Sequence, residues 1–429
     1  MAGSQMRKRR SAYLVVGGLS VAVTITALAS AQAAPTPAPK VVTPASCAPT
    51  PGVDAKTLKV GMITSLTGPS APGFAGAYEA VALRVAQENA KGGIFGRKLV
   101  LSKYDDASNG AGQITAESQA VDRDQVLAIN YAAAVDTMFP ALKALNLPAF
   151  GTGLPPAATD FNVFGSGGPG SNTLATTALV KRLATTGATK LAGITFPVPA
   201  AVQNLKNTLA LAPLAGMSTV LTKNDAPFGA YDATSTALAI RASGADGVIA
   251  VLQPDGGVSV FQALAQQGIT LKALNMPGLS DPALVTKAGP GVNGVISSTY
   301  GSIPPGVTGR PGFRTYNNAM LAAGFNPYGA NPPMSYISAD TMIKSIKAAG
   351  VCPTRTGIVN AAHKVKSFDG AGVLPKPVNY IPSTLGPNGT PGNCSWFVTI
   401  VNQKIVPDKE PTCGDLVEVA TGKVVLKAS

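Results

Sequence analysis

The stretch KVGMITSLTGPSAPGFAGAYEAVALRVAQENA, residues 59–90, decides the fold class of this chain. It begins with an apolar run typical of a strand and continues into a loop rich in Gly, Pro, Ser and Thr. The segment after the loop carries an apolar stripe with helical spacing, formed by Tyr78, Val81, Ala82, Val85 and Ala86. A strand, a loop and an amphipathic helix in this order predict the first βα unit of a parallel sheet.

The alternation of strands and helices continues as far as residue 298. Further strands are predicted at residues 98–104, 126–131, 149–152, 191–196, 218–223, 247–252, 271–276 and 292–298. Helices are predicted between them at residues 111–123, 172–185, 201–214, 235–243 and 258–267. The short connections predict an α/β fold with parallel sheets made of right-handed crossovers.

The chain contains too many βα units for one compact sheet, and the Gly-rich stretch FNVFGSGGPGS at residues 161–171 interrupts them. We therefore predict two lobes that separate at this stretch. Later elements are predicted as helices at 311–324, 334–349 and 355–365 and a hairpin with strands 396–401 and 404–406, turning at Asn402 and Gln403. Because the tail changes structural class, the chain is expected to cross between lobes more than once. The predicted division is 56–168 plus 302–372 for lobe 1, and 169–301 plus 373–425 for lobe 2.

Residues 1–33 have the pattern of a signal peptide. A basic cluster (RKRR, residues 7–10) precedes an apolar run at 12–28, and Ala31 and Ala33 form an Ala-x-Ala ending. The pattern predicts export to the periplasm or the outer face of the cell envelope, with cleavage after Ala33. An uncleaved membrane anchor is the alternative, because the apolar run is barely shorter than a membrane span. Residues 34–55 are a Pro-rich tether.

Four cysteines in an exported chain predict two disulfides. Three pairings are open. Cys394 and Cys413 flank the predicted hairpin, which favours that pair and leaves Cys47 to bond with Cys352.

Residues for catalysis are scarce. His363 is the single histidine and is expected at the surface within the segment AAHKVK, so a Ser-His-Asp triad or a His-based metal site is not expected. Asp105 and Asp106 are adjacent on an extended segment, where neighbouring side chains face opposite ways. We expect no enzymatic activity, no metal and no cofactor.

The net charge of +13 does not indicate nucleic-acid binding. Removing the four cations of residues 7–10 leaves 13 − 4 = +9, and the remaining Lys and Arg are scattered singly. A nucleic-acid site would show clustered basic residues.

Three segments resemble the leucine/isoleucine/valine-binding protein family, the type I periplasmic binding proteins of ABC importers. They are the loop at residues 65–75, the segment NAKGGIFGRK at 89–98, and YDD at 104–106. The resemblance extends loosely from residue 56 to about residue 416. It implies two Rossmann-like lobes with parallel central sheets, joined by a three-strand hinge. It also implies a small-molecule ligand in the interlobe cleft and an ABC permease and ATPase as partners. We expect a monomer.

Candidate ligand-binding residues follow predicted strand ends, where parallel sheets bind their ligands. The expected hydrogen-bonding side chains are Thr67, Thr152, Gln253 and Asp255. The expected apolar walls are Phe74, Tyr131 and Phe196. The amides of Ala132 and Ala133 are expected to receive an anionic group, Gly151 adjoins Thr152, and Asp281 is the only acid near the strand end at Met276.

Several positions depart from the family pattern. The serine usual after the third strand is absent from NYAAAV at 130–135, and FPVPA at 196–200 replaces an Asp-Tyr-Gly turn. A buried ammonium without a carboxylate costs several kcal/mol. We therefore expect a small organic solute (amino-acid-like, a carboxylate or an amide) rather than an ordinary branched-chain amino acid. The alternatives are an extracellular ligand sensor and, less favoured because Gly-x-Ser-x-Gly is absent, a secreted hydrolase.

Overall fold

The computed structural model describes residues 46–299, 302–304, 306–307 and 309–428. Its first βα unit agrees with the prediction. Strand β1 (Thr57–Thr64) leads through the short helix α1 (Ala71–Phe74) into helix α2 (Ala77–Ala90). The predicted signal peptide and most of the predicted tether lie outside the described residues.

The first sheet has five parallel strands in the order β2-β1-β3-β4-β5. Its other strands are β2 (Lys98–Asp105), β3 (Ala128–Ala132), β4 (Ala149–Gly151) and β5 (Val163–Gly165). The helices between these strands are α3 (Gly110–Ser118), extended by a wider turn at Gln119–Arg123, α4 (Phe139–Ala144) and α5 (Pro156–Thr159).

Three later helices belong to this part of the structure: α11 (Pro311–Ala322), α12 (Asn331–Ala348) and α13 (Arg355–Ala362). Helices α12 and α13 share a core with the first sheet, and α11 packs against α2 and α12. Helix α12 is buried around most of its circumference, as expected of a helix enclosed by other elements. Its side chains Met342, Ile343 and Ile346 share a core with β1 and α2. Helix α12, although late in the sequence, therefore packs with elements from the first part of the chain.

The second sheet has seven strands in the order β14-β13-β11-β10-β9-β7-β8. They are β7 (Lys190–Thr195), β8 (Ser218–Lys223), β9 (Gly247–Val251), β10 (Ala273–Asn275), β11 (Val295–Ser298), β13 (Phe397–Val401) and β14 (Lys404–Pro407). Strands β7 to β11 pair in parallel, and β13 and β14 add antiparallel at one edge. The associated helices are α6 (Ala178–Ala184), α7 (Pro199–Ala210), α8 (Thr234–Ala242), α9 (Pro254–Gln266) and α10 (Pro282–Ala288).

Two small sheets complete the described chain. Strand β6 (Leu174–Thr176) pairs with β16 (Leu416–Glu418), which also pairs with β17 (Lys423–Leu426), and β12 (Cys394–Ser395) pairs with β15 (Thr412–Cys413). The helix predicted at residues 172–185 is therefore wrong over its first part. Residues of β6 become a strand because a partner strand from the far end of the chain satisfies their backbone groups.

The hairpin and the disulfides agree with their predictions. Asn402 and Gln403 have φ values of 49° and 58°, as a two-residue turn between twisted antiparallel strands requires. Cys394 bonds to Cys413 across the β12–β15 pair. Cys47 bonds to Cys352 and thereby holds the end of the tether beside the end of α12.

The predicted surface position of His363 is wrong. The residue is 6% exposed, and its two ring nitrogens face the carbonyl oxygens of Phe161 and Tyr380. Its ring also stacks on Phe161, with 3.7 Å between the centroids. Segments distant in sequence cover this end of α13, so the hydrophilic neighbours of His363 did not indicate its burial.

The chain passes between the two large sheets three times: between β5 and β6, between β11 and α11, and after Tyr380. Tyr380 still belongs to the core of the first sheet, although the predicted boundary lies at residue 372. The two large sheets with their helices agree with the predicted α/β class, and the division of the lobes remains a prediction. None of the helices in the described part of the chain combines the length and the hydropathy needed to cross a bilayer.

Candidate functional site

A cavity of about 1,200 Å³ lies between the two large sheets, at the carboxyl ends of their strands. Strand ends of the first sheet contribute Ser65, Ala133 and Thr152 to its wall. Strand ends of the second sheet contribute Phe196 and Gln253. Ligand sites of parallel sheets form at this edge, because loops and helix N-termini converge there.

The loop between β1 and α2 is held by one carboxylate. Asp105 accepts hydrogen bonds from the backbone N–H groups of Leu66, Thr67 and Ala107, and from the Thr67 hydroxyl at 2.6 Å. Burial raises the pKa of Asp105, but these hydrogen bonds outweigh it and hold that pKa below its usual value. The neighbouring Asp106 is buried away from the cavity wall. Within the described chain, the Asp105–Asp106 pair thus organises the loop.

The wall on the side of the first sheet is mostly apolar. Helix α1 places Phe74 in the cavity, and the side-chain amide of Asn331 donates to the Gly73 carbonyl oxygen at 2.6 Å, which ties α1 to the start of α12. Thr152 follows β4, and its backbone N–H donates to the carbonyl oxygen of Tyr131. The Thr152 hydroxyl has no hydrogen-bond partner among the described residues, so it is available to a solute.

The wall on the side of the second sheet combines aromatic and polar groups. Phe196 follows β7 and packs against Phe228, with their centroids 4.8 Å apart. Gln253 and Asp255 lie at the start of α9, as N-cap and in the first turn. Asp281 caps α10, where its side chain accepts from the N–H of Ala283.

Seven predicted site residues line the cavity: Phe74, Ala133, Thr152, Phe196, Gln253, Asp255 and Asp281. The structure does not bring the other four to the cavity wall. Thr67 points its hydroxyl at Asp105, and Ala132 ends β3 inside the core of the first sheet.

Tyr131 and Gly151 are the remaining two, and both are used in packing. Tyr131 is fully buried, and its ring packs edge-on to Phe139 with 5.1 Å between the centroids. Burial raises the pKa of Tyr131 well above its usual value. A Cβ on Gly151 would lie 2.6 Å from Cγ of that ring, so Gly151 lets the ring lie beneath the sheet edge. The predicted roles of Tyr131 as a cavity wall and of Ala132 as an anion receptor are corrected by these positions.

Three groups of lining residues were missed in the sequence or assigned no ligand role. The crossover from Gly167 to Ser171 was predicted as a break, but it also forms wall. The connection between α11 and α12 contributes residues 324–326 and 328–332, a Gly- and Pro-rich segment whose composition indicates a loop at a surface or site. Helix α7 presents Asn204, Asn207 and Thr208, polar residues at the i, i+3 and i+4 spacing of one helix face.

Two contacts cross the cavity. The Asn326 side-chain amide, which follows α11, donates to the Asp281 carboxylate at 2.5 Å. Gly73 of α1 lies against Gln253: a Cβ at Gly73 would be 2.0 Å from the Gln253 Oε1 atom. The first-sheet side and the second-sheet side therefore touch at two points on the rim of the cavity.

The charges in the wall are all negative. Glu79, Asp255 and Asp281 line the cavity, and no Lys, Arg or His among the described residues does so. Within the same part of the chain, no group of three or more His, Cys, Asp or Glu side chains could hold a metal ion. The arrangement can enclose a solute between two surfaces and offer it hydrogen-bond acceptors and apolar walls.

Comparison with protein families gives one match: the model described as periplasmic binding protein matches residues 57–404. No protein of curated function matches this sequence.

Solved structures share the fold at low identity. A fatty acid ABC transporter substrate-binding protein from Thermomonospora curvata has a TM-score of 0.71 and 18% identity, covering 90% of this chain and 99% of its own. A branched-chain amino acid ABC transporter protein from Thermus thermophilus, with bound valine, has a TM-score of 0.69 and 17% identity, covering 84% and 97%. A leucine-binding protein from Thermotoga maritima has a TM-score of 0.66 and 16% identity, covering 83% and 98%.

Proposed function

The chain belongs to the periplasmic binding protein family, and we propose that it captures a small organic solute in the cavity between its two sheets for delivery to an ABC importer. Proteins of this family are exported, bind small solutes and work with ABC transporters. The observation that carries the proposal for this chain is the cavity of about 1,200 Å³ at the facing strand ends of two sheets.

The polar groups of the cavity support binding rather than catalysis. Thr152 offers a free hydroxyl and Gln253 an amide, while Phe74 and Phe196 offer apolar surface. Pockets that bind organic molecules combine a mainly apolar lining with a few polar groups of this kind. The sole histidine, His363, lies outside the cavity wall. The proposed role is therefore solute binding and not catalysis.

The solute need not be a branched-chain amino acid. One structural neighbour is a fatty acid ABC transporter substrate-binding protein and another is a branched-chain amino acid transporter protein with bound valine, so one fold serves solutes of different chemistry. In this chain both carboxylate oxygens of Asp281 are already used, one by Ala283 and one by Asn326. Residues 130–135 and 196–200 also depart from the family pattern, and the proposed solute is for these reasons an organic molecule other than leucine or valine.

The proposed partners are an ABC permease and its ATPase, and the proposed site of action is the periplasm or the outer face of the cell envelope. The proposed state is a monomer, since described residues of one chain supply cavity wall from both large sheets. Co-purification with a permease would test the partners.

Solute capture is tested by a thermal-shift screen against amino acids, carboxylates, amides, sugars and nucleosides. A ligand at about one hundred times its dissociation constant adds about 2.7 kcal/mol to stability, which raises the Tm by a few degrees. Gln253→Ala should reduce the shift given by a hit. Gln266→Ala is the matched control, since it changes an exposed glutamine at the other end of α9. A hit that both variants bind as the parent does would place the solute elsewhere.

A further inference from the structure

We propose that the cavity takes a mainly apolar organic solute that carries no negative charge and that donates hydrogen bonds. This inference rests on the proposed function, narrows its solute class and removes carboxylates from it. Three features of the cavity support it: the acidic side chains in its wall, the helix N-termini that face it, and its apolar surface.

The charge of the wall is opposite to that of the chain. The chain has 34 Lys and Arg against 21 Asp and Glu, a net charge of +13. Nevertheless the charged side chains lining the cavity among the described residues are the three acids Glu79, Asp255 and Asp281. An anionic solute would leave a basic surface for a cavity in which every charged side chain repels it.

Helix N-termini would normally compensate for missing cations, because their free N–H groups bind anions. Here two of the longer helices that open on the cavity already carry an acid in the first turn, Glu79 in α2 and Asp255 in α9. A third, α12, begins with Asn331, Pro332 and Pro333, and the two prolines have no N–H to offer. The short helix α10 is capped by Asp281. These four helix N-termini therefore supply little to hold a carboxylate.

Two of these acids are free to accept hydrogen bonds from a solute. The carboxylates of Glu79 and Asp255 have no hydrogen bond or ion pair with any described residue, whereas Asp281 is occupied by Ala283 and Asn326. Glu79 stands on the side of the first sheet and Asp255 on the side of the second. A solute with hydroxyl, amide or ammonium donors would satisfy both and join the two sides.

The rest of the wall is suited to an apolar body. Its large apolar side chains include Phe74, Leu154, Leu179, Phe196, Phe325 and Met334. A volume of about 1,200 Å³ exceeds the upper end of ordinary small-molecule pockets, about 1,000 Å³. Burial of apolar surface would therefore supply most of the affinity, and the acids would set the charge selectivity.

The test compares four probes with one alkyl chain: octylamine, octanamide, octanol and octanoate, each titrated by calorimetry into the full chain. We expect octanoate to bind at least about tenfold more weakly than the amide and the amine, equivalent to about 1.4 kcal/mol. Octanoate binding as tightly as octanamide would overturn the inference, even though it would support solute capture.

A double variant, Glu79→Gln with Asp255→Asn, should remove most of the difference in affinity between octanoate and octanamide. The matched control is Asp122→Asn with Glu410→Gln, which changes the net charge equally at exposed positions outside the wall and should leave the difference intact. If both double variants changed this difference in affinity equally, the effect would come from the net charge and not from the acids of the cavity wall. If none of the four probes binds, the inference fails, and a hit from the wider thermal-shift screen would still uphold the proposed function.

Discussion

The contact between Asn326 and Asp281 is expected to set how tightly the cavity closes on a solute. Asn326 comes from the connection between α11 and α12, and Asp281 from the start of α10, so their hydrogen bond at 2.5 Å spans the cavity. When the two sides close by hinge motion, this bond stabilises the closed form and adds its free energy to solute binding. Asn326→Ala removes this donor and also the Oδ1 atom that accepts from the N–H of Tyr328, whereas Asn326→Asp keeps an acceptor for Tyr328.

The magnitude follows from the partners and their exposure. A hydrogen bond to a charged group contributes about 1.5–3 kcal/mol to stability when it is shielded from water. Asn326 is exposed and Asp281 half-buried, so water competes and about 1 kcal/mol remains. The dissociation constant of a solute should then rise about fivefold.

Calorimetric titration of a solute identified by the thermal-shift screen measures this change. Asn326→Asp should weaken binding further, because a second carboxylate would face Asp281. Asn224→Ala is the control, an exposed asparagine of the second-sheet half that does not line the cavity. Unchanged affinity in both Asn326 variants, with an unchanged Tm of the solute-free protein, would refute the idea that this contact stabilises the closed form.

Three further predictions concern stability. Burial raises the pKa of Asp246, but hydrogen bonds from the backbone of Lys190 and Thr189 and from Lys272 lower it to about 2. Asp246→Asn should therefore lower the free energy of unfolding by about 2 kcal/mol at neutral pH. Denaturant titrations should show this loss at every pH above about 4 and should show it disappear as the pH falls towards 2. Gly151→Ala should lower the free energy of unfolding by about 3 kcal/mol, because its Cβ would lie 2.1 Å from the Tyr131 carbonyl oxygen. The control is Gly153→Ala, whose Cβ meets nothing within 4 Å and which should leave the Tm unchanged. Equal Tm values for the two variants would disprove the packing argument. Replacing Cys394 and Cys413 by serine opens a bridge with a sequence separation of 19 and should cost about 3 kcal/mol in a denaturant titration.

The β/α architecture and the family could be predicted from the sequence because their signals are local. The strand predicted at residues 218–223 matches β8, since its composition alone favours extended structure. The Asn402-Gln403 turn likewise needed only residues able to adopt positive φ between two apolar runs. Of the candidate site residues, those directly after strand ends, such as Thr152 and Gln253, line the cavity because parallel strands end at one edge.

The direction in which a side chain points was decided by partners distant in sequence. Tyr131 lies one residue before the end of β3, and Thr152 lies one residue after the end of β4. The ring of Tyr131 packs against Phe139 instead of lining the cavity. The Thr67 hydroxyl was assigned to a solute, whereas it donates its hydrogen bond to the carboxylate of Asp105 on the neighbouring strand.

The sequence by itself thus determined the order and type of most elements and the edge of the sheets where the cavity lies, and it favoured one disulfide pairing among three. Only the tertiary structure decided that residues of β6 form a strand, that His363 is buried, and that Glu79 joins Asp255 in a cavity wall whose charged side chains, among the described residues, are all acidic. The physical reason is the range of the interactions. Backbone preference and apolar periodicity act over a few residues, whereas burial and charge at a site depend on segments that folding brings together from the whole chain.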